Sequence, residues 1–510
     1  MDTLAYIVLF IFAVFFFFAL NRSKSSSGLP GNNRLFLVIL SLLFPSLDLQ
    51  LHDKIAEVLE RSKRTVHIDQ YSWITGGTKI LVTSDPANVR HILSTNFSRY
   101  PKGLKWREKI DILGDTLFSV DLEEWEQERK LVRGFTGHQK FHQVMTNIIW
   151  ERAEKGLIPV LERVSERGLA VDLQDLFRKH ILDIAWMMVI GYNPNSLSIE
   201  FREDQFSKAL EDACEASFSR YLMPESLWKL QRWLGIGKEK KLKDAWKTID
   251  RVFAECISKK QEESTKGSFN FEGFYYSTGH DDQAFGSAPT RKGLRDNVIS
   301  LIFATQDTTS SVLTWFFWMV SKHPSVEAKI RDEIAKVSQE NQDARSSKSE
   351  IPFKPQELNE LVYLHAALCE TLRLFPPGPV LSRTALQPDT LPSGHGVDQN
   401  TIILIAVHAM GRMTSVWGED CHEFKPERWL TEGGDRQIKH VPHYQFVAFS
   451  AGPRICLGKE LAFTMMKATA ATIIHNYKIQ IPRDYPVKPV NSVIFHMKHG
   501  LKARIKNRWT

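Results

Sequence analysis

The feature that most constrains this chain is a glycine-containing loop that carries a single cysteine late in the sequence. The loop reads Phe449-Ser-Ala-Gly-Pro-Arg-Ile-Cys-Leu-Gly458, and an apolar, helix-compatible run follows it. The N-terminus of a helix carries partial positive charge and unpaired N–H groups, which favour the deprotonated form of a sulfur atom. This position therefore predicts Cys456 as a thiolate metal ligand. A cysteine taken alone would more simply be a buried structural residue.

The neighbours of Cys456 suit a flat cofactor that carries a carboxylate. Gly452 and Gly458 are expected to let the backbone adopt conformations that other residues resist, so that it passes close to a ligand. Arg454 is a fixed cation two residues from the cysteine and suits a carboxylate. Phe449 is expected to shield the sulfur and to set the polarity around it.

The complete spacing Phe-x-x-Gly-x-Arg-x-Cys-x-Gly resembles the haem-binding loop of the cytochrome P-450 superfamily, the haem-thiolate monooxygenases. The resemblance implies a mainly α fold with small β-sheets, in one large catalytic domain. It implies haem with Cys456 as the axial iron ligand, and cofactor contacts from Phe449, Arg454 and Gly458. It also implies O2 as a substrate and NADPH as the electron source, used indirectly through a reductase. In this class, electron donation by the thiolate favours O–O cleavage.

A second stretch, Trp125-Glu-Gln-Glu-Arg129, places an aromatic ring and a cation on one helical face. Taken alone, it is typical of a surface helix with one buried tryptophan. Beside the cysteine loop it resembles the Trp-x-x-x-Arg of the superfamily. That resemblance implies that Trp125 and Arg129 hydrogen-bond a haem propionate.

A long apolar helix is predicted from Leu294 to His323, ending before Pro324. It contains the polar stretch Ala304-Thr-Gln-Asp-Thr-Thr309. A carboxylate inside an apolar helix is costly unless it hydrogen-bonds or has a chemical role, and threonine hydroxyls can be satisfied by the preceding turn. The stretch resembles the oxygen-activation segment of the superfamily, which implies that Asp307 and Thr308 relay protons to bound oxygen.

This segment departs from the superfamily pattern at its second position. Thr305 stands where glycine is usual. If the helix lies over the haem, the branched side chain adds volume or a hydrogen bond beside oxygen and substrate. Ala304 and Thr305 are therefore expected to line the substrate pocket, and the shape of that pocket is less transferable from the superfamily than the proton relay.

The last two motifs are expected to be structural. Glu370-Thr-Leu-Arg373 places an acid and a base one helical turn apart, a common surface pairing when it stands alone. With Pro426-Glu-Arg-Trp429 it resembles the Glu-x-x-Arg and Pro-Glu-Arg-Phe pair of the superfamily, with tryptophan in place of phenylalanine. The resemblance implies a buried network of Glu370, Arg373 and Arg428 that supports the haem loop.

Local patterns predict the remaining structure. Tyr71–Thr75 and Thr78–Thr83 flank two glycines, which indicates a hairpin. Asp85 is expected to cap a helix that runs to about Leu93. The polar stretches Gln261–Gly293 and Asn341–Glu350 are typical of surface loops. Strands are otherwise scarce between these segments, and amphipathic helix predominates.

The sequence begins with an apolar run that predicts a membrane anchor. Leu4–Leu20 contains 17 uncharged residues, the short end of the length that a spanning helix needs. Asp2 precedes the run, and Arg22 and Lys24 follow it. This favours an uncleaved anchor over the alternative, a cleaved signal peptide, and places the bulk of the chain in the cytosol.

The predicted organisation has three parts. Residues 1–21 form the transmembrane anchor, residues 22–69 a linker and membrane-surface segment, and residues 70–510 the haem-thiolate domain. Leu35–Leu49 is apolar but too short to span, so we expect it to lie on the membrane surface. The proline-rich hinge that relatives usually carry here is reduced to Leu29-Pro-Gly31 and one further proline.

Composition excludes some classes of protein. The net charge is +7, from 66 basic and 59 acidic residues without a concentrated tail, which argues against nucleic-acid binding. Five cysteines are few, odd in number and widely spread, which argues against a disulfide framework. Arg129, Lys130, Arg133 and Lys459 lie near the haem motifs and are candidates for docking an acidic reductase, or are simply a solvated charged face.

Three stretches resemble the plant long-chain hydroxylases, and most closely the mid-chain alkane hydroxylases: Thr314-Trp-Phe-Phe-Trp-Met-Val-Ser-Lys-His-Pro324, Cys456-Leu-Gly-Lys-Glu-Leu-Ala-Phe463 and His496-Met-Lys-His-Gly500. This implies an enzyme of the endoplasmic-reticulum membrane that hydroxylates very-long-chain alkanes away from their ends. The alternatives are a specialised-metabolism oxidase, such as an alkaloid phenol-coupling enzyme, and a fatty-acid hydroxylase. A non-catalytic haem protein or membrane scaffold would have no reason to keep Asp307 in an apolar helix.

Overall fold

Helices make up most of the part of the chain that this computed structural model describes, which comprises residues 51–68, 78–136, 139–198, 204–265, 291–340, 355–432, 437–490 and 492–509. The α-helices in these ranges are α1 (Leu51–Arg61), α2 (Pro86–Arg90), α3 (Leu104–Lys109), α4 (Leu122–Thr136), α5 (Gln139–Arg152), α6 (Ile158–Glu166), α7 (Leu173–Ile190), α8 (Gln205–Leu222), α9 (Glu225–Leu234), α10 (Gly237–Thr265), α11 (Arg291–Lys322), α12 (Pro324–Glu340), α13 (Val362–Leu374), α14 (Val407–Met410), α15 (Thr414–Trp417) and α16 (Lys459–Asn476). The mainly α prediction is confirmed.

The strands form three small sheets. They are β1 (Thr65–His67), β2 (Ile80–Thr83), β3 (Ala170–Asp172), β4 (Leu381–Thr384), β5 (Asp389–Thr390), β6 (Gly396–Val397), β7 (Ile402–Ile405), β8 (Tyr477–Gln480) and β9 (Lys502–Asn507). The first sheet has the order β1-β2-β7-β4, the second β3-β9-β8, and the third pairs β5 with β6. Strand β2 runs parallel to β7 with Ile80 opposite Ile402, and the other pairs are antiparallel.

Helix α11 lies at the centre of the helical layer. Its apolar residues pack on α7, α12, α13 and α16, and side chains such as Leu313 and Phe316 are fully buried. The helix ends at Lys322, since Pro324 opens α12 and lacks the N–H that a continuing helix needs. The prediction of a helix from Leu294 to His323 is confirmed within three residues at its start and one at its end.

The first residues that the structure describes, in α1 and β1, pack with the catalytic fold. Helix α1 packs on α14, and β1 pairs with β2 from Thr65 opposite Thr83. The sequence patterns place residues 22–69 in a linker and membrane-surface segment. Packing and sheet pairing extend the domain to Leu51.

Helix α2 shows how local sequence positions the site. The Asp85 side chain accepts hydrogen bonds from the N–H groups of Ala87 and Asn88, as a capping residue does. A π-helical turn, His91–Thr95, continues the chain past the predicted end. This turn presents the carbonyl of Leu93 to the cysteine loop.

Several sequence predictions lie outside the described residues. These are the anchor at residues 1–21, the surface segment Leu35–Leu49, the hairpin strand Tyr71–Thr75, and the loop stretches 266–290 and 341–354. No helix within the described ranges has the length and apolarity to cross a membrane.

Candidate active site around Cys456

The cysteine loop is a short, tightly bonded segment ahead of α16. Two 3-10 turns, Val447–Phe449 and Gly452–Arg454, precede the cysteine. The N–H of Cys456 donates to the Phe449 carbonyl at 2.9 Å, and the Phe449 ring packs 5.5 Å from that of Phe463. Cys456 is exposed, whereas the other four cysteines are buried. The loop thus presents one accessible thiol shortly before the start of α16.

The electrostatics of Cys456 differ from the expectation that the helix end alone favours a thiolate. Burial by the surrounding protein atoms raises the pKa of the thiol, although its surface is accessible. The Gly458 N–H and the cations Arg129 and Lys459 lower this pKa, but less than burial raises it. A bound metal cation would favour the thiolate form of this sulfur.

Only one of the two predicted glycines needs its conformational freedom. Gly452 has φ +66°, and a Cβ there would lie 1.8 Å from the Leu93 carbonyl oxygen. Gly458 has φ −87°, which any residue adopts, and a Cβ would meet the Cys456 sulfur at an ordinary 3.9 Å. The expectation of a special backbone conformation at Gly458 is therefore wrong.

Trp125 and Arg129 lie on α4 against this loop. Arg129 donates through Nη2 to the Ile455 carbonyl at 2.8 Å, directly before the cysteine. Trp125 is buried, and the guanidinium groups of Arg129 and Arg454 lie 5.5 Å and 4.7 Å from its ring centre. The structure thus brings these two motifs together, and hydrogen bonding of Trp125 and Arg129 to a haem propionate stays a prediction.

A group of buried cations surrounds Asp121, and we name it the cation cluster: Lys102, Arg383 and Arg454. Arg454 bonds through Nη2 to the Asp121 carboxylate and the Val120 carbonyl, both at 2.7 Å. Burial, with Arg454 nearby, lowers the pKa of Arg383 to about 9. Burial and the two arginines also lower the pKa of Lys102 well below its usual value.

The cation cluster fits a cofactor that carries carboxylates. Asp121 is the carboxylate that pairs with it in the described part of the chain. The Nε atoms of Arg383 and Arg454 are buried and have no hydrogen-bond partner among the described residues. Buried guanidinium groups are costly unless paired, so this arrangement is suited to the two propionates of haem.

Sequence analysis missed Arg383 and Lys102. Arg383 lies in β4 and Lys102 ahead of α3, far from the motif residues in the chain. Neither has a spacing that marks it. The available signal was only a charged residue in an otherwise half-buried strand.

The central part of α11 has one partly exposed side. Four residues on this side are partly exposed between buried neighbours. We name them the open stripe: Leu301, Ala304, Thr305 and Thr308. The hydroxyl of Thr305 donates to the Leu301 carbonyl at 2.9 Å, and that of Thr308 to the Ala304 carbonyl at 2.6 Å. Both threonines thus use the helix for hydrogen bonding, and the extra volume of Thr305 lies on the open side.

Asp307 is buried behind this stripe. Its side chain is 1% exposed, and its Oδ1 has no hydrogen-bond partner among the described residues. Burial raises the pKa of Asp307 to about 6; the positive charge of Arg178 lowers it and Glu211 raises it. A carboxyl group with this pKa can both accept and release a proton near neutral pH.

Arg178 connects the Asp307 region to the surface, and sequence analysis did not identify it. It lies on α7 and donates through Nη1 to Glu211 of α8 at 3.1 Å, and through Nη2 to the Ser207 carbonyl at 3.0 Å. The Glu211 side chain is 44% exposed. A charged pair thus extends from the neighbourhood of the buried acid to solvent.

The predicted structural network is assembled around Glu370. Its carboxylate accepts two bonds from Arg373, both at 2.7 Å, and one from the Trp429 indole at 2.9 Å. Arg428 lies 3.4 Å from the same carboxylate and donates to the Trp417 carbonyl at 2.6 Å. Glu370 and Arg373 are fully buried. The tryptophan that replaces phenylalanine therefore adds a donor to this network.

An accessible cysteine, with buried guanidinium groups whose Nε atoms lack a partner among the described residues, is the arrangement of a cysteine-ligated haem protein. The profile of the family described as Cytochrome P450 matches residues 30–502. The chain belongs to the cytochrome P450 family. It is an oxidoreductase whose cofactor is haem with an axial cysteine thiolate, supplied with electrons from NADPH through a reductase.

The chain is similar to several relatives along nearly its whole length. It is 38% identical to alkane hydroxylase MAH1 of Arabidopsis thaliana, over the whole of both chains. It is 36% identical to noroxomaritidine synthase of Narcissus aff. pseudonarcissus MK-2014, over 98% of this chain and 96% of the relative. It is also 36% identical to cytochrome P450 86B1 of Arabidopsis thaliana, over 98% of this chain and 89% of the relative.

Proposed function

We propose that this enzyme hydroxylates very-long-chain alkanes at mid-chain carbons, inserting one oxygen atom from O2 into a C–H bond. Full-length similarity to an alkane hydroxylase supports the substrate class. The observation that carries the proposal is the open stripe, which borders apolar packing on one side and a buried acid on the other. Such a surface accepts a lipophilic chain and has a proton source within the same helix.

Cys456 is the axial ligand in this proposal, with Phe449 packed beside it. Arg129, Arg383 and Arg454 hold the propionates, and Trp125 packs beneath Arg454. When bound, the haem binds and activates O2, and the thiolate favours O–O cleavage. The unpaired guanidinium nitrogens described above support the assignment of the anionic edge of the cofactor to the cation cluster.

Proton delivery is assigned to Asp307 and Thr308. The Thr308 hydroxyl lies on the open stripe and passes a proton outward, while Asp307 replenishes it from behind. Arg178, whose positive charge lowers the pKa of Asp307, pairs with the partly exposed Glu211. Ala304 and Thr305 form part of the pocket wall, and Glu370, Arg373 and Arg428 hold the cysteine-loop side of the fold.

A second candidate is phenol coupling or hydroxylation in alkaloid metabolism. The similarity to noroxomaritidine synthase supports it. So does Thr305, whose side chain narrows the open stripe where a glycine would leave room for an extended chain. Terminal hydroxylation of a fatty acid is the third candidate.

The proposal includes a docking surface for the reductase and a location in a membrane. Lys130 and Arg133 are exposed on α4, and Arg129 and Lys459 flank the cysteine loop. A basic surface beside the haem suits an acidic reductase domain. We assign the enzyme to the endoplasmic-reticulum membrane, held by one anchor at residues 1–21 with the catalytic domain in the cytosol.

Product analysis tests the substrate proposal. Membranes containing the chain and a plant reductase receive NADPH and, in parallel, a very-long-chain alkane, a long-chain fatty acid and phenolic alkaloid precursors. Mass spectrometry identifies the products, with Cys456→Ala as the blank. A secondary alcohol from the alkane supports the proposal. A coupled or dehydrogenated phenol without alkane product overturns it in favour of the second candidate.

A further inference from the structure

Two distant stretches of the sequence meet at one backbone carbonyl. Ser311 Oγ and Trp315 Nε1, one turn apart on α11, both donate to the carbonyl oxygen of Phe495 at 2.8 Å. All three residues are almost fully buried. The Phe495 N–H donates to the Pro377 carbonyl at 2.9 Å. We name this arrangement of Ser311, Trp315 and Phe495 the carbonyl clamp.

Aromatic packing restricts the clamp further. The Trp315 ring stacks on that of Phe375 with a centroid separation of 4.2 Å and an interplanar angle of 3°. The Phe495 ring lies 5.5 Å from the Trp315 ring. Buried stacked rings leave few alternative rotamers, so the indole N–H is held on the carbonyl.

The clamp fixes the residues immediately before Phe495. Ile494 is buried in an apolar cluster with Ile302 and Phe303, which lie between the open-stripe residues Leu301 and Ala304 on α11. Val493 packs against the same cluster and is partly exposed. Val493 therefore lies at the edge of the apolar space beside the open stripe, and its backbone position depends on the carbonyl two residues later.

We propose that Ser311 and Trp315 are positioning residues that determine which substrate carbon is oxidised. Both side chains are buried and act through the Phe495 carbonyl, to which they donate. By fixing the Phe495 carbonyl they set the separation between Val493 and the open stripe, and so the depth to which a lipophilic chain enters. This inference rests on the proposed oxidation of a lipophilic substrate.

The test compares variants that remove one clamp hydrogen bond each. Trp315→Phe keeps an aromatic ring to stack on Phe375 but has no N–H donor, and Ser311→Ala removes the hydroxyl. Thr314→Val is the matched control on the same helix. Its hydroxyl is equally buried but donates within the helix, to the Ser310 carbonyl at 2.7 Å.

Hydrogen exchange of the holoenzyme measures the clamp directly. We expect the Phe495 amide and its neighbours to exchange roughly fivefold faster in each clamp variant, the factor that corresponds to one lost buried hydrogen bond. In Thr314→Val the exchange of this segment should match that of the wild type. Equal exchange in all four proteins overturns the clamp.

The distribution of products tests the function of the carbonyl clamp. With the substrate identified by product analysis, we expect each clamp variant to spread oxidation over neighbouring carbons, while Thr314→Val keeps the wild-type pattern. Faster exchange with an unchanged distribution of products overturns the positioning role. A general loss of rate with the distribution intact has the same meaning, since a purely structural defect would produce it.

A binding measurement separates this inference from the proposed function. Imidazole and 1-dodecylimidazole both bind haem iron through nitrogen, and their affinities are read from the Soret band. We expect the preference for the dodecyl compound to fall several-fold in the clamp variants and not in Thr314→Val. If no substrate is oxidised but this preference shifts, the proposed reaction fails and the clamp stands. An unchanged preference counts against the clamp.

Discussion

At the scale of the residue, the site combines groups whose environments oppose their charges. Burial raises the pKa values of Cys456 and Asp307 and lowers that of Arg383. Burial disfavours the charged form of each of these side chains. A bound partner of opposite charge or a transferred proton would offset that cost. Such opposed environments are typical of sites that hold a cofactor or move protons.

Replacing Cys456 with alanine should abolish both activity and the thiolate-type spectrum of the carbon monoxide complex. The substitution removes the one exposed thiol among the five cysteines. Cys214→Ala, at a buried position on α8, is the matched control and should retain the spectrum. A thiolate-type spectrum that survives in Cys456→Ala would show that another group binds the iron.

The two threonines of the open stripe should behave differently. Both hydroxyls donate to the carbonyl four residues earlier, so Thr305→Ala and Thr308→Ala remove equivalent helix bonds. We expect Thr308→Ala to consume NADPH with release of peroxide and little product. Thr305→Ala should stay coupled while its substrate preference changes. The ratio of product to NADPH measures this, and equal coupling in both variants would contradict the relay.

Asp307 makes a pH-dependent contribution to stability. Burial raises its folded-state pKa from 3.8 to about 6, so protonation favours the folded state. The resulting stability is fully present below the unfolded pKa and is lost as the pH rises through the folded value. Relative to Asp307→Asn, the wild type should lose on the order of 3 kcal/mol across this range. Thermal unfolding at several pH values measures it, and parallel curves would refute the shift.

At the scale of the element, the site is made where helices and loops from distant parts of the chain converge. The Leu93 carbonyl, in the π-helical turn His91–Thr95, occupies the space that a Cβ at position 452 would need. Helix α4 contributes Arg129 to the same loop. The positions of the separate elements are therefore coupled, and a change in one displaces the others.

The Glu370 network should be sensitive to loss of its acid. Glu370→Gln leaves Arg373 buried without a counter-charge, and we expect it to destabilise the fold by about 3–5 kcal/mol. The control is Glu255→Gln in the exposed pair with Arg251, where an effect of about 0.5 kcal/mol or less is expected. Denaturant unfolding of both variants measures the difference. Comparable stabilities would mean that the network is dispensable.

The sequence predicted those features that local chemistry determines. Asp85 capped its helix because a carboxylate accepts from free N–H groups, and α11 ended before Pro324 because proline cannot continue it. Gly458 was misjudged, since its backbone turned out to be unstrained. Arg383 and Arg178 were missed because only the folded chain brings their strand and helix to the motif residues.

At the scale of the whole molecule, the proposed docking surface for the reductase contains the exposed residues Lys130 and Arg133 of α4. We expect Arg133→Glu to slow haem reduction by the reductase several-fold at low salt, with a smaller effect at high salt because ions screen the interaction. Stopped-flow reduction at two salt concentrations measures this. Arg251→Glu, at an exposed position on α10, is the control. An unchanged rate for Arg133→Glu at low salt removes this surface from consideration.

The sheet pairings also determine when the domain can be completed during synthesis. Strand β2 can pair with β7 only after more than three hundred further residues have been synthesised. Strand β3 likewise pairs with the distant strand β9. Chains with such distant pairings close slowly, and their exposed strand edges invite aggregation until they do. The cysteine loop lies between these late partners. The residues that would hold haem are therefore all present only after the ribosome has produced nearly all of the described domain.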